Sequence, residues 1–136
     1  MVYQFDRYRQ IGVETASPVD LVVMLYRGAI RFLAEAEEAM AARDIAAAHG
    51  CLLRSQEIVA ELMGSLNLDA GEIAVNLSRL YDYMQQRLIE ANLRKDPSPA
   101  REVRGLLSEL LVAWETIASR ERACFPSYAL VPAAGV

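Results

Sequence analysis

Cysteine, histidine, glycine and proline are scarce in this 136-residue chain, at two, one, seven and five residues. Cys51 and Cys124 are too few for a disulfide framework, and Cys51 shares a helical face with Leu52, Ile58 and Val59, which predicts a reduced, buried thiol. A metal site in a helical bundle needs Glu-x-x-His pairs from facing helices, and His49 has no such partner. A zinc site from His49, Cys51 and Cys124 lacks a fourth ligand and a sensible spacing. No metal and no cofactor is therefore expected. Glycine-rich phosphate loops are also absent.

No run of Lys or Arg occurs, and the net charge is −4 with a pI near 5.0. Binding to nucleic acid through phosphate neutralisation needs a basic surface, so a nucleic-acid partner is not expected. The longest apolar run, Leu21 to Tyr26, is far too short to span a bilayer. Met1 to Gln10 is polar and aromatic, without the apolar stretch of a signal peptide. These absences predict a soluble, cytoplasmic protein with no membrane insertion.

What is present favours helix. Hydrophobic residues make up 54% of the chain, rich in Ala, Leu, Glu and Arg, and these are good helix formers. The length suits one domain with a real core. Residues 1–16 carry Tyr3, Phe5, Tyr8, Ile11 and Val13 with charges of both signs and no sustained period, which predicts a weakly docking, flexible arm. Residues 17–121 are expected to form the folded domain. Residues 122–136, with Pro126, Pro132 and Gly135, are expected to be a disordered tail.

Within 17–121 four helices are marked by their ends. Ser17-Pro18-Val19-Asp20 supplies a cap, a first-turn proline and an acidic residue near the positive pole of the dipole. Helix 1 then runs to about Ala42, turning Leu21, Val22, Leu25, Ala29, Phe32, Leu33, Ala36 and Met40 inward. Asp44 caps helix 2, which reaches about Leu66 with Ala48, Cys51, Ser55, Ile58, Val59, Leu62 and Leu66 inward. Asp69 and Glu72 have the spacing of a capping box for helix 3. Asp96-Pro97-Ser98-Pro99 ends helix 3 and starts helix 4, since neither proline suits a helix interior. Helix 4 extends to about Arg120, with Val103, Leu106, Leu107, Leu110, Trp114 and Ile117 inward. Four long helices with short connections predict an all-α, antiparallel up-down four-helix bundle.

Helix 3 is the informative one. At about 100° per residue, Ile73, Leu77, Leu80, Met84, Leu88 and Ala91 form one core stripe. Val75, Ile89 and Leu93 then cluster on the opposite side, around Asp82, where a one-faced helix should be polar. Helix 1 carries a similar surplus at Val19, Val23, Tyr26 and Ile30. The paired carboxylates Glu35, Glu37, Glu38, Glu57 and Glu61 alternate with arginine on wet arcs, the pattern of a solvated face rather than an acid–base pair. No catalytic apparatus is visible. The organised surplus predicts a groove for an amphipathic partner segment, with dimerisation through the same surface as the alternative. A second alternative is a phosphotransfer bundle using His49, about 100° from its stripe centre; the neighbouring lysine and downstream glycine of such sites are missing.

Several blocks, in order, resemble the flagellin-specific export chaperone family (FliS). They are TASP at Thr15 to Pro18, MLYRGAIRFL at Met24 to Leu33, GEIAVNL at Gly71 to Leu77 and LYDYM at Leu80 to Met84. RLIEANLRKD at Arg87 to Asp96 and Ala113-Trp114 complete the set. The resemblance spans roughly Phe5 to Ile117. It implies a cytoplasmic, non-enzymatic chaperone that binds the disordered C-terminal region of flagellin, prevents premature polymerisation and assists delivery to a component of the type III export gate. On this reading Val23, Ile30, Val75, Asn76, Tyr83, Ile89 and Leu93 are candidate client contacts. Phe5, Tyr8 and Val13 are candidate arm or gate residues, and the chain is expected to be a monomer or weak homodimer. Two departures stand out: Arg27 replaces a frequent Asp, and Ala70 a frequent Gly, which predicts a stiffer loop before helix 3.

Overall fold

The computed structural model describes residues 17–124. Helix α1 spans Pro18–Ala41, α2 Ile45–Gly64, α3 Glu72–Arg94 and α4 Pro97–Cys124. The helices alternate in direction around a ring, with α1 packed between α2 and α4, and α3 closing the ring between the same two. This is the all-α up-down bundle that the helix-end signals predict.

The ends of α1 and α2 form as their sequences dictate. Ser17 and Asp20 make a reciprocal box, the Ser17 hydroxyl accepting from the Asp20 N–H at 3.2 Å while the Asp20 carboxylate accepts from the Ser17 N–H at 3.3 Å. Asp44 accepts from the Ala47 N–H at 3.1 Å. The capping box expected at the start of α3 does not form: Asp69 lies in a single 3-10 turn, Leu68–Ala70, which Asn67 caps instead. Gly71 follows at φ 128°, a conformation open mainly to glycine, and α3 starts without a side-chain cap. Its C-terminus closes on Lys95 in the left-handed region, and α4 begins at once on Pro97, continuing to Cys124.

Tyr26, Leu33, Leu52, Ile58, Leu62, Tyr81, Met84, Leu88, Val103 and Leu107 fill the core and are essentially inaccessible. Several positions differ from the periodicity reading. Tyr81 is a central core residue, because its hydroxyl meets that of Tyr26 at 2.6 Å across the bundle, which removes the cost of burying a lone hydroxyl. Leu52 takes the inward place expected of Cys51, which is only half-buried. Ala118 is buried where Ile117 was expected, and Ile117 faces out. Ile73, assigned to the core stripe, is 79% exposed on the first turn of α3, and that assignment is corrected.

The edge between α1 and α4 is a charged seam. Asp20 pairs with Arg122 at 3.0 Å, Arg27 with Glu115 at 2.6 Å, and Glu37 with Arg101 at 3.2 Å and with Arg104. Exposed ion pairs contribute only about 0–1 kcal/mol each, so the seam sets register more than stability. Val23, within one turn of both Asp20 and Arg27 on this side of α1, is 5% exposed.

Candidate binding surface

Two polar contacts fix how α3 lies against α4. The Tyr83 hydroxyl donates to Glu102 at 2.6 Å, and Arg87 Nε donates to the other oxygen of the same carboxylate at 2.6 Å. These bonds hold the Glu102 carboxyl below the usual range and push the Tyr83 phenol up. From Arg87 back along α3 and from Glu102 forward along α4, the two antiparallel helices run side by side towards the same end of the bundle. Ile73 is fourteen residues before Arg87 and Ile117 fifteen after Glu102, which sets the two at the same level and, at about 100° per residue, on facing sides. Both are exposed, while Leu80, Leu106 and Leu110 between them are half-buried. The result is an apolar groove, with Asn76 and Tyr83 exposed along its α3 wall.

A second surface lies where α3 meets α2. The Gln85 amide donates to the Gln56 carbonyl at 2.8 Å, and the Asn92 amide meets His49 Nδ1 at 3.0 Å. Leu53 lies between His49 and Gln56 on α2, as Ile89 lies between Gln85 and Asn92 on α3, so the two sit opposite one another. They are 38% and 49% exposed. Ile45, one turn before His49, and Leu93, next to Asn92, extend the apolar strip towards the far end of the bundle, and both are exposed. Val75 shares the outer side of α3 and is half-buried.

The sequence-derived candidates therefore divide. Asn76 and Tyr83 line the α3–α4 groove; Ile89 and Leu93, with Val75, belong to the side facing α2. Val23 and Ile30 join neither. Val23 is buried and Ile30 half-buried beneath the α1–α4 seam, so the expectation that they lie on the outer arc of helix 1 is corrected. Phe5, Tyr8 and Val13 lie outside the described residues. Ile45, Leu53 and Ile117 were missed as surface residues. The doublet Leu52-Leu53 held a signal, since two adjacent helical residues point about 100° apart and cannot both face one core.

Chemical groups are few. Among the described residues no cluster of three His, Cys, Asp or Glu side chains could hold a metal ion, and no helix is long and apolar enough to cross a membrane. His49 is exposed and hydrogen-bonded to Asn92. Burial, and then the nearby Glu35 carboxylate, raise the Cys51 pKa, so this thiol stays protonated. Exposed apolar residues on both sides of one helix are the kind of surface that receives apolar or helical segments.

Comparison with known proteins agrees. The family model for the flagellar protein FliS matches residues 1–121. The flagellar secretion chaperone FliS of Salmonella typhimurium is 40% identical over 119 residues, covering 83% of this chain and 88% of its own. Its Bacillus subtilis counterpart is 33% identical over 118 residues, 87% of this chain and 88% of its own, and that of Escherichia coli K12 is 36% identical over 114 residues, 79% and 84% respectively. The chain belongs to the FliS family of flagellar secretion chaperones. It is accordingly a flagellar export chaperone and not an enzyme, and the phosphotransfer alternative through His49 has no support.

Proposed function

We propose that this chaperone holds the C-terminal segment of flagellin in the cytoplasm, keeps it from polymerising, and presents it to a component of the flagellar export gate. The observation that carries the reading is the pair of apolar recesses on either side of α3, at Ile73–Ile117 and at Leu53–Ile89. A flexible client loses conformational freedom on binding, a cost of roughly 2–5 kcal/mol or more. Fully burying an exposed Ile or Leu contributes about 1.5–3 kcal/mol, so several such residues are needed. The two recesses offer Ile73 and Ile117, and Leu53 and Ile89. A client that wraps α3 from both sides would also hide its own polymerisation surfaces, and its release needs no nucleotide. The arm residues Phe5, Tyr8 and Val13 are assigned, on the same reading, to gating the client surface or contacting the gate.

Isothermal titration of the full chain with the C-terminal peptide of its own organism's flagellin tests this. A saturable complex with a negative heat-capacity change is expected, the mark of apolar burial. No heat and no complex on gel filtration would refute it.

A further inference from the structure

Helix α3 is anchored along one half only. Among the described residues, every polar contact tying it to another helix starts from Tyr81 or beyond. Tyr81 meets Tyr26 on α1, Tyr83 and Arg87 meet Glu102 on α4, and Gln85 and Asn92 meet Gln56 and His49 on α2. The buried residues of the helix, Tyr81, Met84, Leu88 and Ala91, lie in the same half. The other half is held differently. Residues 63–80 include no buried residue. No side chain of residues 66–80 bonds to another helix: Asn67 caps its own 3-10 turn, and Asp69, Glu72 and Arg79 have no ion-pair partner. Gly71, at φ 128°, brings no capping side chain to the start of α3. Half-buried Leu66, Leu77 and Leu80 are the apolar hold on the core, while Leu68 and Ile73 stand 54% and 79% exposed. Few buried apolar contacts and solvent-exposed backbone bonds are the conditions for local opening well below the free energy of global unfolding.

The two recesses inherit this difference. The Gln85–Gln56 and Asn92–His49 bonds bracket the Leu53–Ile89 recess, one on each side, so both of its walls are fixed. The Ile73–Ile117 recess has α4 as one wall, tied to α1 through Glu115 and Arg122 on either side of Ile117. Its other wall is the unanchored start of α3. We infer that residues 67–80 form a flap hinged at Tyr81, which opens locally while the rest of the bundle stays folded. The Leu53–Ile89 recess is then preformed, and the Ile73–Ile117 recess takes its shape from the segment that enters it. The opening stands on the structure alone; the shaping rests on the client reading above. Client affinity then includes the entropic cost of ordering the flap.

Hydrogen exchange on the full chain, read amide by amide, tests the flap. Without client, amides 75–80 should be about a hundredfold or more less protected than those of 84–91. Their exchange should respond little to low urea, since a local opening exposes little surface. Residues 21–26 of α1 are the control: they lie as far from a helix start, but behind the Ser17–Asp20 box and the Asp20–Arg122 pair. Equal protection of 75–80 and 84–91 overturns the inference. So does equally fast exchange at 21–26, which would reduce the flap to the fraying of any helix end. Saturating flagellin C-terminal peptide should then slow exchange at 75–80 about tenfold or more. A peptide that binds and leaves 75–80 as fast as before overturns the shaping. Failure of the peptide to bind, with 75–80 fast, refutes the client reading and leaves the opening established.

Discussion

The hydroxyls of Tyr26 and Tyr81 lie 2.6 Å apart in the bundle core, joining α1 to α3 across the ring, where no adjacent-helix contact could link them. Their rings meet edge to face with centroids 6.5 Å apart, and the Trp114 ring lies 6.2 Å from Tyr26. Both tyrosines are essentially inaccessible. Replacing Tyr26 by Phe strands the Tyr81 hydroxyl in a dry core, at a cost of about 1–3 kcal/mol, whereas Tyr81→Phe leaves the Tyr26 hydroxyl its hydrogen bond with Trp114. Replacing both removes the polar pair together. Urea unfolding should therefore give a larger loss for Tyr26→Phe than for Tyr81→Phe, and a double-variant loss below their sum. Additive losses would mean that the hydrogen bond contributes nothing.

The same pair sets an alkaline limit. Burial raises both phenol pKa values above the usual 10. Below that pH the tyrosines are neutral in both states and the full stability is present. Above it the unfolded chain releases protons that the folded chain retains, so stability falls as pH rises. The slope approaches about 1.4 kcal/mol per pH unit for each tyrosine. Unfolding followed from pH 9 to 11.5 should show this decline, and the double Phe variant should flatten it.

Val23 and Ile89 are both surplus apolar residues by periodicity, yet they should respond oppositely to a charge. Val23 lies beneath the α1–α4 seam, so Val23→Asp places an unpaired carboxylate in the core and should cost more than about 3 kcal/mol, or abolish folding. Ile89→Asp, on the half-open α2–α3 side, should leave helicity intact and the melting temperature within a few degrees. It should weaken flagellin-peptide binding about tenfold, the 1.4 kcal/mol lost with a well-buried contact. Circular dichroism and calorimetry on the two variants separate the cases. A large thermal loss for Ile89→Asp would place it in the core.

Glu37 takes two arginines, Arg101 and Arg104, and its side chain is only 14% exposed. Glu37→Gln leaves two cations beside each other with no counter-charge. Its loss, read as a drop in urea midpoint, should exceed that of Glu115→Gln, whose partner Arg27 is solvated. The expected difference is about 1 kcal/mol. Equal midpoints would show that the arginines relax into solvent freely.

The bundle was legible where local chemistry marks it. Ser17-Pro18, Asp44 and Asp96-Pro97 end helices through their own backbone and side-chain preferences, so those boundaries follow from a few neighbouring residues. Ile73, Val23 and Tyr81 depart from the pattern for one reason: periodicity gives the direction of a side chain, not what stands at its level on the next helix. Ile73 occupies the first turn of α3 and is exposed. Val23 is buried although periodicity puts it in surplus, on the side of α1 where Asp20 and Arg27 find partners about 90 to 100 residues away in α4. Tyr81 looks amphipathic until Tyr26, 55 residues earlier, supplies its hydrogen bond. For the surface, periodicity revealed that α3 had apolar residues to spare. It did not reveal Leu53 and Ile117, the residues that complete the two recesses from other helices.

On the proposed function the client occupies both recesses flanking α3. Isoleucine methyl groups report on it directly, because Ile73 and Ile117 lie in one recess, Ile89 and Ile45 along the other, and Ile58 in the core at 1% exposure. Methyl NMR spectra of the full chain titrated with unlabelled flagellin C-terminal peptide should show large shifts at Ile73, Ile117, Ile89 and Ile45, with Ile58 nearly still. Shifts confined to Ile58, or none at the four exposed isoleucines at saturation, would contradict the account.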